Sequence, residues 1–245
     1  MEMTDWLPFV IVMAGYTVLG FTGFGSALVI VPLLSWIWPL STVVPLVLMM
    51  GVLASSHLGL RHGAKARWIE LARLAPTVLL GGVSGLYLSR AAQASAWPLA
   101  LLGVYVAVVG ARGLRHSHAP RPVSPAWAWP VGAVIGIIEV SFGTAGPPLV
   151  IYLSRRIADL HELRATLAVG ILGTVLTSLT LLILDGRIAV LPVWPTLAGL
   201  AAAALLGVRL GDAMSRRVDP QRVRKAVYLL LVLSGASLLA RALKS

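Results

Sequence analysis

The chain contains no cysteine, which excludes disulfides, thiolate metal sites and thiol nucleophiles. Charge is scarce as well: Asp, Glu, Lys and Arg make up 12% of the 245 residues, where soluble domains carry roughly 25%. No polar stretch is long enough for a soluble domain. A cleavable leader is not expected either, because the start, Met1-Glu2-Met3-Thr4-Asp5, is acidic where a signal peptide is basic. What is present instead is apolar sequence, 58% of the chain with a mean hydropathy of +0.89. It comes in runs of about 20 residues, the length a helix needs to cross a bilayer. The net charge of +11 is therefore assigned to loops at a membrane face rather than to a nucleic-acid surface.

Apolar segments run approximately over 6–37, 41–60, 69–89, 97–114, 126–153, 164–184, 191–211 and 224–242. The first and fifth are too long for one ordinary crossing. Each contains a glycine-rich break, Gly20-Phe21-Thr22-Gly23-Phe24-Gly25-Ser26-Ala27 and Glu139-Val140-Ser141-Phe142-Gly143-Thr144-Ala145-Gly146-Pro147-Pro148. Glycine at this density weakens a helix, and a broken helix in hydrocarbon is tolerated only where protein or a water-filled cavity surrounds it.

The halves correspond. A shift of 120 residues places Gly23 on Gly143, and Gly81-x-x-x-Gly85 matches Gly207-x-x-x-Gly211 after a few inserted residues. The only linker-like stretch, Arg112 to Pro125, puts the boundary near 119, giving membrane repeats 1–118 and 119–245 within one integral membrane domain. If every segment crosses once, basic residues divide nine against ten between the faces. If the first and fifth enter and return, one face collects Arg61, Lys65, Arg67, Arg73, Arg112, Arg115, Arg121, Arg155, Arg156, Arg164, Arg216, Arg217, Arg222, Arg224 and Lys225. The other keeps Arg90, Arg187, Arg241 and Lys244. Fifteen against four satisfies the positive-inside rule. The expectation is an all-α polytopic membrane protein of two inverted repeats. Each repeat is a glycine-broken re-entrant helix hairpin plus three transmembrane helices, with basic loops cytoplasmic and both termini outside.

Paired breaks of this kind point to a transporter's central site. A helix starting near Pro147 directs its unpaired N–H groups and positive dipole end at the turn, and Gly25-Ser26-Ala27 occupies the corresponding place in the first half. The expected site for a small anion lies between the two motifs, with the hydroxyls of Thr22, Ser26, Ser141 and Thr144 in support. Close helix packing is the other role such glycines serve.

The motifs Gly-Phe-Thr-Gly-Phe-Gly-Ser with Val31-Pro32, and Phe-Gly-Thr-Ala-Gly-Pro-Pro-Leu-Val-Ile-Tyr, resemble the paired signatures of the sulfite exporter TauE/SafE family. The paired Gly-x-x-x-Gly segments and Asp185-Gly186-Arg187-Ile188 extend the likeness over nearly the whole chain. The resemblance implies movement of sulfite, sulfoacetate or related organosulfonates across a bacterial inner membrane, with Gly23, Gly25, Ser26, Gly143, Gly146 and Pro147 lining the site. Ser26 and Ala145 depart from a usual glycine pair, and Glu139-Val140 from a pair of the small Ser-Gly type.

Glu139, deep in its segment, is the candidate for proton coupling, since an ionisable group at such depth is costly and functional by default. Its other reading is a neutral or Arg-paired structural carboxylate. Pathway candidates are Ser55, Ser56, His57, Thr174, Thr177, Ser178 and Arg209. Hydroxyls of this kind often bond back to their own helix, and Arg209 also suits a pairing with Asp212 or snorkelling to the interface. His62, His116 and His118 lack the spacing of a metal site, and no metal, cofactor or nucleic-acid partner is expected. The expected partners are the bilayer, a small anionic solute and, compatibly, a second copy of the chain. A passive anion channel is the near alternative. An intramembrane serine protease using Ser26 and His57 is the distant one, disfavoured because Gly146 stands where the first half has Ser26.

Overall fold

A computed structural model describes residues 3–91, 97–115, 122–186 and 194–215, with 228–229, 231–233, 235–236 and 239–240 beyond them. The described residues form helices and no strand. In order these are α1 (Met3–Thr22), α2 (Ser26–Leu34), α3 (Leu40–His62), α4 (Trp68–Ala91), α5 (Trp97–Arg115), α6 (Ala128–Phe142), α7 (Gly146–Ser154), α8 (Leu160–Leu184) and α9 (Trp194–Ser215). The first and fifth apolar segments are thus each broken into a long and a short helix at the glycine motif. Five stretches among the described residues are long and apolar enough to cross a membrane: Leu40–His57, Trp68–Arg90, Pro125–Phe142, His161–Leu184 and Pro195–Met214. This is a multi-pass, all-helical membrane protein. Trp6, Trp36, Trp68, Trp127 and Trp129 are exposed at or near helix ends, where their amphipathic rings suit a membrane interface.

The helices gather into two units, each drawing on both halves of the sequence. The first holds α1, α2, the opening residues of α3, α5 and α9; the second holds the rest of α3 with α4, α6, α7 and α8.

In the first unit α2 folds back on α1: a Cβ added at Gly15 would lie 2.3 Å from Ile30 Cγ1. α9 runs alongside α1 at backbone-to-backbone distance. A Cβ at Gly207 would lie 2.4 Å from Met13 O, and one at Gly211 would lie 2.1 Å from Thr17 O. Only glycine permits that approach, which is how small residues at four-residue spacing let membrane helices pack.

The second unit repeats the arrangement with other residues. A Cβ at Gly81 of α4 would lie 2.1 Å from Ala133 O of α6, and one at Gly85 would lie 2.9 Å from Ile137 O. Met13 and Ala133 are 120 residues apart, as are Thr17 and Ile137. The shift that superposes the glycine breaks therefore also superposes the backbone atoms on which the Gly-x-x-x-Gly helices rest. The core of this unit is an apolar cluster that includes Leu74, Val78, Ile135, Leu149, Leu153 and Leu167. It joins α4, α6, α7 and α8.

Candidate functional site

Both breaks are built by the same backbone device. Gly23 (φ 83°) donates its N–H to Leu19 O at 2.7 Å, and Gly143 (φ 63°) donates to Glu139 O at 2.7 Å. Each closes its helix with a residue in the left-handed region, which glycine alone adopts without penalty. In the first turn Gly25 (φ 94°) then leads into Ser26, the opening residue of α2, which is buried. In the second, Ala145 leads into Gly146-Pro147-Pro148, so α7 begins one residue before the expected Pro147.

The two turns differ in what surrounds their amides. Thr22 spends its hydroxyl locally: Oγ1 lies 2.8 Å from Val18 O and accepts the Phe24 N–H at 3.2 Å. At the second turn Pro147 and Pro148 have no N–H, and Ala145 donates its own to Glu139 Oε2 at 2.6 Å. That leaves the Gly146 N–H as the backbone donor of α7's opening residues. Thr144 is buried, and Ser141 Oγ donates to Gly85 O at a long 3.4 Å.

Glu139 is buried, 3% exposed, one helical turn before the break. Its carboxylate caps α7 across the turn and has the Thr174 side chain beside it. No salt bridge reaches it among the described residues, so the Arg-paired alternative finds no support there. The equivalent position in the first half is Leu19. The carboxylate is thus a feature of one turn and not of the other.

The second unit therefore brings together Glu139, Ser141, Gly143, Thr144, Gly146, Pro147 and Thr174. The first unit brings together Thr22, Gly23, Gly25 and Ser26. The remaining candidates are scattered. Ser55 is buried on α3, with Ser56 and His57 half-buried. Thr177 is half-buried and donates back to Gly173 O at 2.9 Å. Its neighbour Ser178 is the inward residue, with its Oγ buried and without a hydrogen-bond partner. Arg209 is exposed on α9. His116, His118 and Arg187 lie outside the described residues.

One buried group escaped the sequence reading. Glu70, in the first turn of α4, is 2% exposed. Its Oε2 accepts the Tyr152 hydroxyl at 2.7 Å. Its Oε1 accepts Arg156 Nη2 at 2.8 Å and Arg73 Nη1 at 2.9 Å. Arg156 also donates to Val123 O at 3.0 Å. Read along the chain, Glu70 looks like an acidic residue favouring a helix N-terminus, and Arg156 like a loop charge. Their meeting is visible only in three dimensions.

The family model of the sulfite exporter TauE/SafE matches residues 7–238. A probable inner membrane transporter protein TsaS from Comamonas testosteroni is 32% identical over 194 residues, covering 79% of this chain and 81% of that protein. No solved structure matches the chain.

Proposed function

Because the chain belongs to the sulfite exporter TauE/SafE family, we propose that it is a secondary transporter of a small sulfur-containing anion such as sulfite, sulfoacetate or a related organosulfonate. The membrane is the bacterial inner membrane, as the name of the Comamonas relative suggests, with the basic loops cytoplasmic and both termini outside. The two sequence halves are inverted repeats whose broken helices re-enter the bilayer. The observation that carries this reading is the pair of left-handed glycine caps at Gly23 and Gly143, each ending one helix where another starts inside an apolar segment. Amides and hydroxyls at such a break face protein or a cavity rather than lipid, and they suit an anion. The contacting residues are Thr22, Gly23, Gly25 and Ser26 in one turn, and Ser141, Gly143, Thr144, Gly146 and Pro147 in the other. Ser55, Ser56, His57, Thr174, Thr177 and Arg209 are the pathway candidates.

Glu139 is the coupling residue. A carboxylate with no cationic partner among the described residues is expensive in an apolar interior, and taking up a proton removes the charge. Its carboxylate also holds an amide of the very turn to which the substrate anion binds.

Thermal stabilisation of the detergent-solubilised protein by sulfite, sulfoacetate, taurine, sulfate and acetate tests the anion site. A ligand of the native state raises apparent stability by mass action. Sulfite or a sulfonate is expected to stabilise more than acetate, and a flat response across the panel refutes the reading. Glu139→Gln is expected to abolish pH-driven flux in proteoliposomes without loss of expression; retained pH dependence removes Glu139 from the coupling.

A further inference from the structure

α7 is nine residues long, and both of its ends are held by carboxylates from other helices. At its start Glu139 of α6 holds the Ala145 N–H. Near its end Tyr152 gives its hydroxyl to Glu70 of α4, and Arg156, just past the helix, closes on the same carboxylate. Arg156 also reaches Val123 O, in the segment that leads into α6. Glu70 thus ties three separate pieces of the second unit: the start of α4, the end of α7 and the approach to α6. Its position is fully engaged, with one oxygen on Tyr152 and the other on Arg73 and Arg156. Tyr152 is six residues beyond Gly146, roughly 9 Å along a helix. Over so short a helix, a shift at one end is felt at the other.

Taking the α6–α7 turn as part of the transport site, as proposed above, we propose that Glu70 is a positioning residue for that site. Through Tyr152 and Arg156 it fixes the far end of α7 and thereby sets where the Gly143–Pro148 turn presents its groups. The network is more than a surface ion pair, which would contribute little. The carboxylate is buried, and two of its three partners, Tyr152 and Arg156, reach it from α7 and the residues just past it. Hydrogen bonds to a charged group are also stronger than neutral ones. Leu149 and Leu153 place α7 in the unit's apolar cluster, a non-directional attraction. Directional bonds at Glu70 add the register of α7 along α4.

Because the chain has no cysteine, a single introduced thiol reports cleanly on one place. Ala145→Cys sits in the turn, 2% exposed, and Ala203→Cys sits buried on α9 of the first unit. In full-length protein in proteoliposomes, the rate of labelling by N-ethylmaleimide is measured with and without Tyr152→Phe, and again with Glu70→Gln. Removing the hydroxyl deletes a bond to a charged acceptor, so the opening that exposes position 145 should rise roughly tenfold. Position 203 should label at its original rate. Unchanged labelling at 145, or an equal rise at both positions, overturns the proposal, since the second result means general loosening. Thr144→Cys replaces Ala145→Cys as reporter if the latter does not accumulate. Anion flux is measured on the same Tyr152→Phe protein without the reporter. Faster labelling with unaltered flux leaves Glu70 as the residue that positions the turn and refutes the assignment of that turn to transport.

Discussion

Gly81→Ala is the sharpest test of how the second unit is assembled. The added Cβ would lie 2.1 Å from Ala133 O and 2.8 Å from Ala133 C and Cα. All three neighbours are backbone, so no side chain can turn aside, and α4 and α6 must separate by roughly 1 Å to reach ordinary contact. Overpacking of this kind costs about 1–3 kcal/mol, and a rigid backbone neighbour places it at the upper end. Alanine's better helix propensity offsets up to about 1 kcal/mol of that. Gly173→Ala is the internal control. That glycine is exposed on α8, and a Cβ there would meet nothing within 4 Å, so only the propensity gain of about 1 kcal/mol remains. The two variants should differ by about 2–3 kcal/mol, or roughly 5–10 °C in the midpoint of thermal unfolding in one detergent. Gly207→Ala, whose Cβ would lie 2.4 Å from Met13 O, should behave like Gly81→Ala. If Gly81→Ala and Gly173→Ala unfold together, the backbone contact of α4 with α6 is wrong, and the equivalence drawn with α1 and α9 goes with it.

Gly143→Ala forces an L-residue to φ 63° with room to spare, the nearest atom being Val44 Cγ1 at 3.8 Å; it should lose about 1–2 kcal/mol in thermal unfolding. Gly143→Asn should lose less, because asparagine tolerates that region, and equal losses would argue against a left-handed cap. Asp159 caps α8 by accepting the Glu162 N–H at 2.7 Å, and this bond holds its carboxyl below the usual aspartate range. The folded-state value is depressed, so the cap's contribution is present above about pH 4 and fades as pH falls through the folded value. Asp159→Asn, which caps without titrating, should therefore show a flatter stability profile between about pH 2 and 5, and superimposable profiles would refute this. Expressed separately, segments 1–118 and 119–245 should each be degraded, because each unit takes helices from both. Co-expressed, they should accumulate and purify together, and a stable 1–118 segment alone would contradict the division into units.

Hydropathy alone located the described helices, because most apolar runs are close to a bilayer's thickness and little else in the chain competes. The broken helices were legible for a more particular reason. A left-handed cap needs glycine at one position, and Gly23 and Gly143 stand at the same offset in two segments too long for a single span. The resemblance to the sulfite exporter family was carried by those same residues, and the family match covers nearly the whole chain. Side-chain direction was not legible. Thr177 and Ser178 are adjacent hydroxyls in an apolar helix with nothing in the sequence to rank them, yet one bonds outward to its own backbone and the other is buried. Nor was the fate of the amides. That Ala145 would donate to a carboxylate six residues earlier depends on the turn bringing Glu139 across it, and no spacing rule announces that. Glu70 was missed because two of its three partners, Tyr152 and Arg156, are 82 and 86 residues away.

The exchange of elements between the halves explains why the Gly-x-x-x-Gly motifs had to be duplicated along with the breaks. A helix ended by a left-handed glycine cannot be steadied by simple continuation through the bilayer. It needs a neighbour close enough to hold its backbone by contact, and in hydrocarbon that closeness comes from glycine rather than from the hydrophobic effect. α1 finds its neighbour in α9, and α6 finds its neighbour in α4, each supplied by the other half of the chain. Loss of either glycine pair would therefore loosen the break belonging to the opposite half. The two halves are held to one pattern at these positions by mutual dependence, while the equivalent positions 19 and 139 carry an apolar residue, Leu19, and a carboxylate, Glu139.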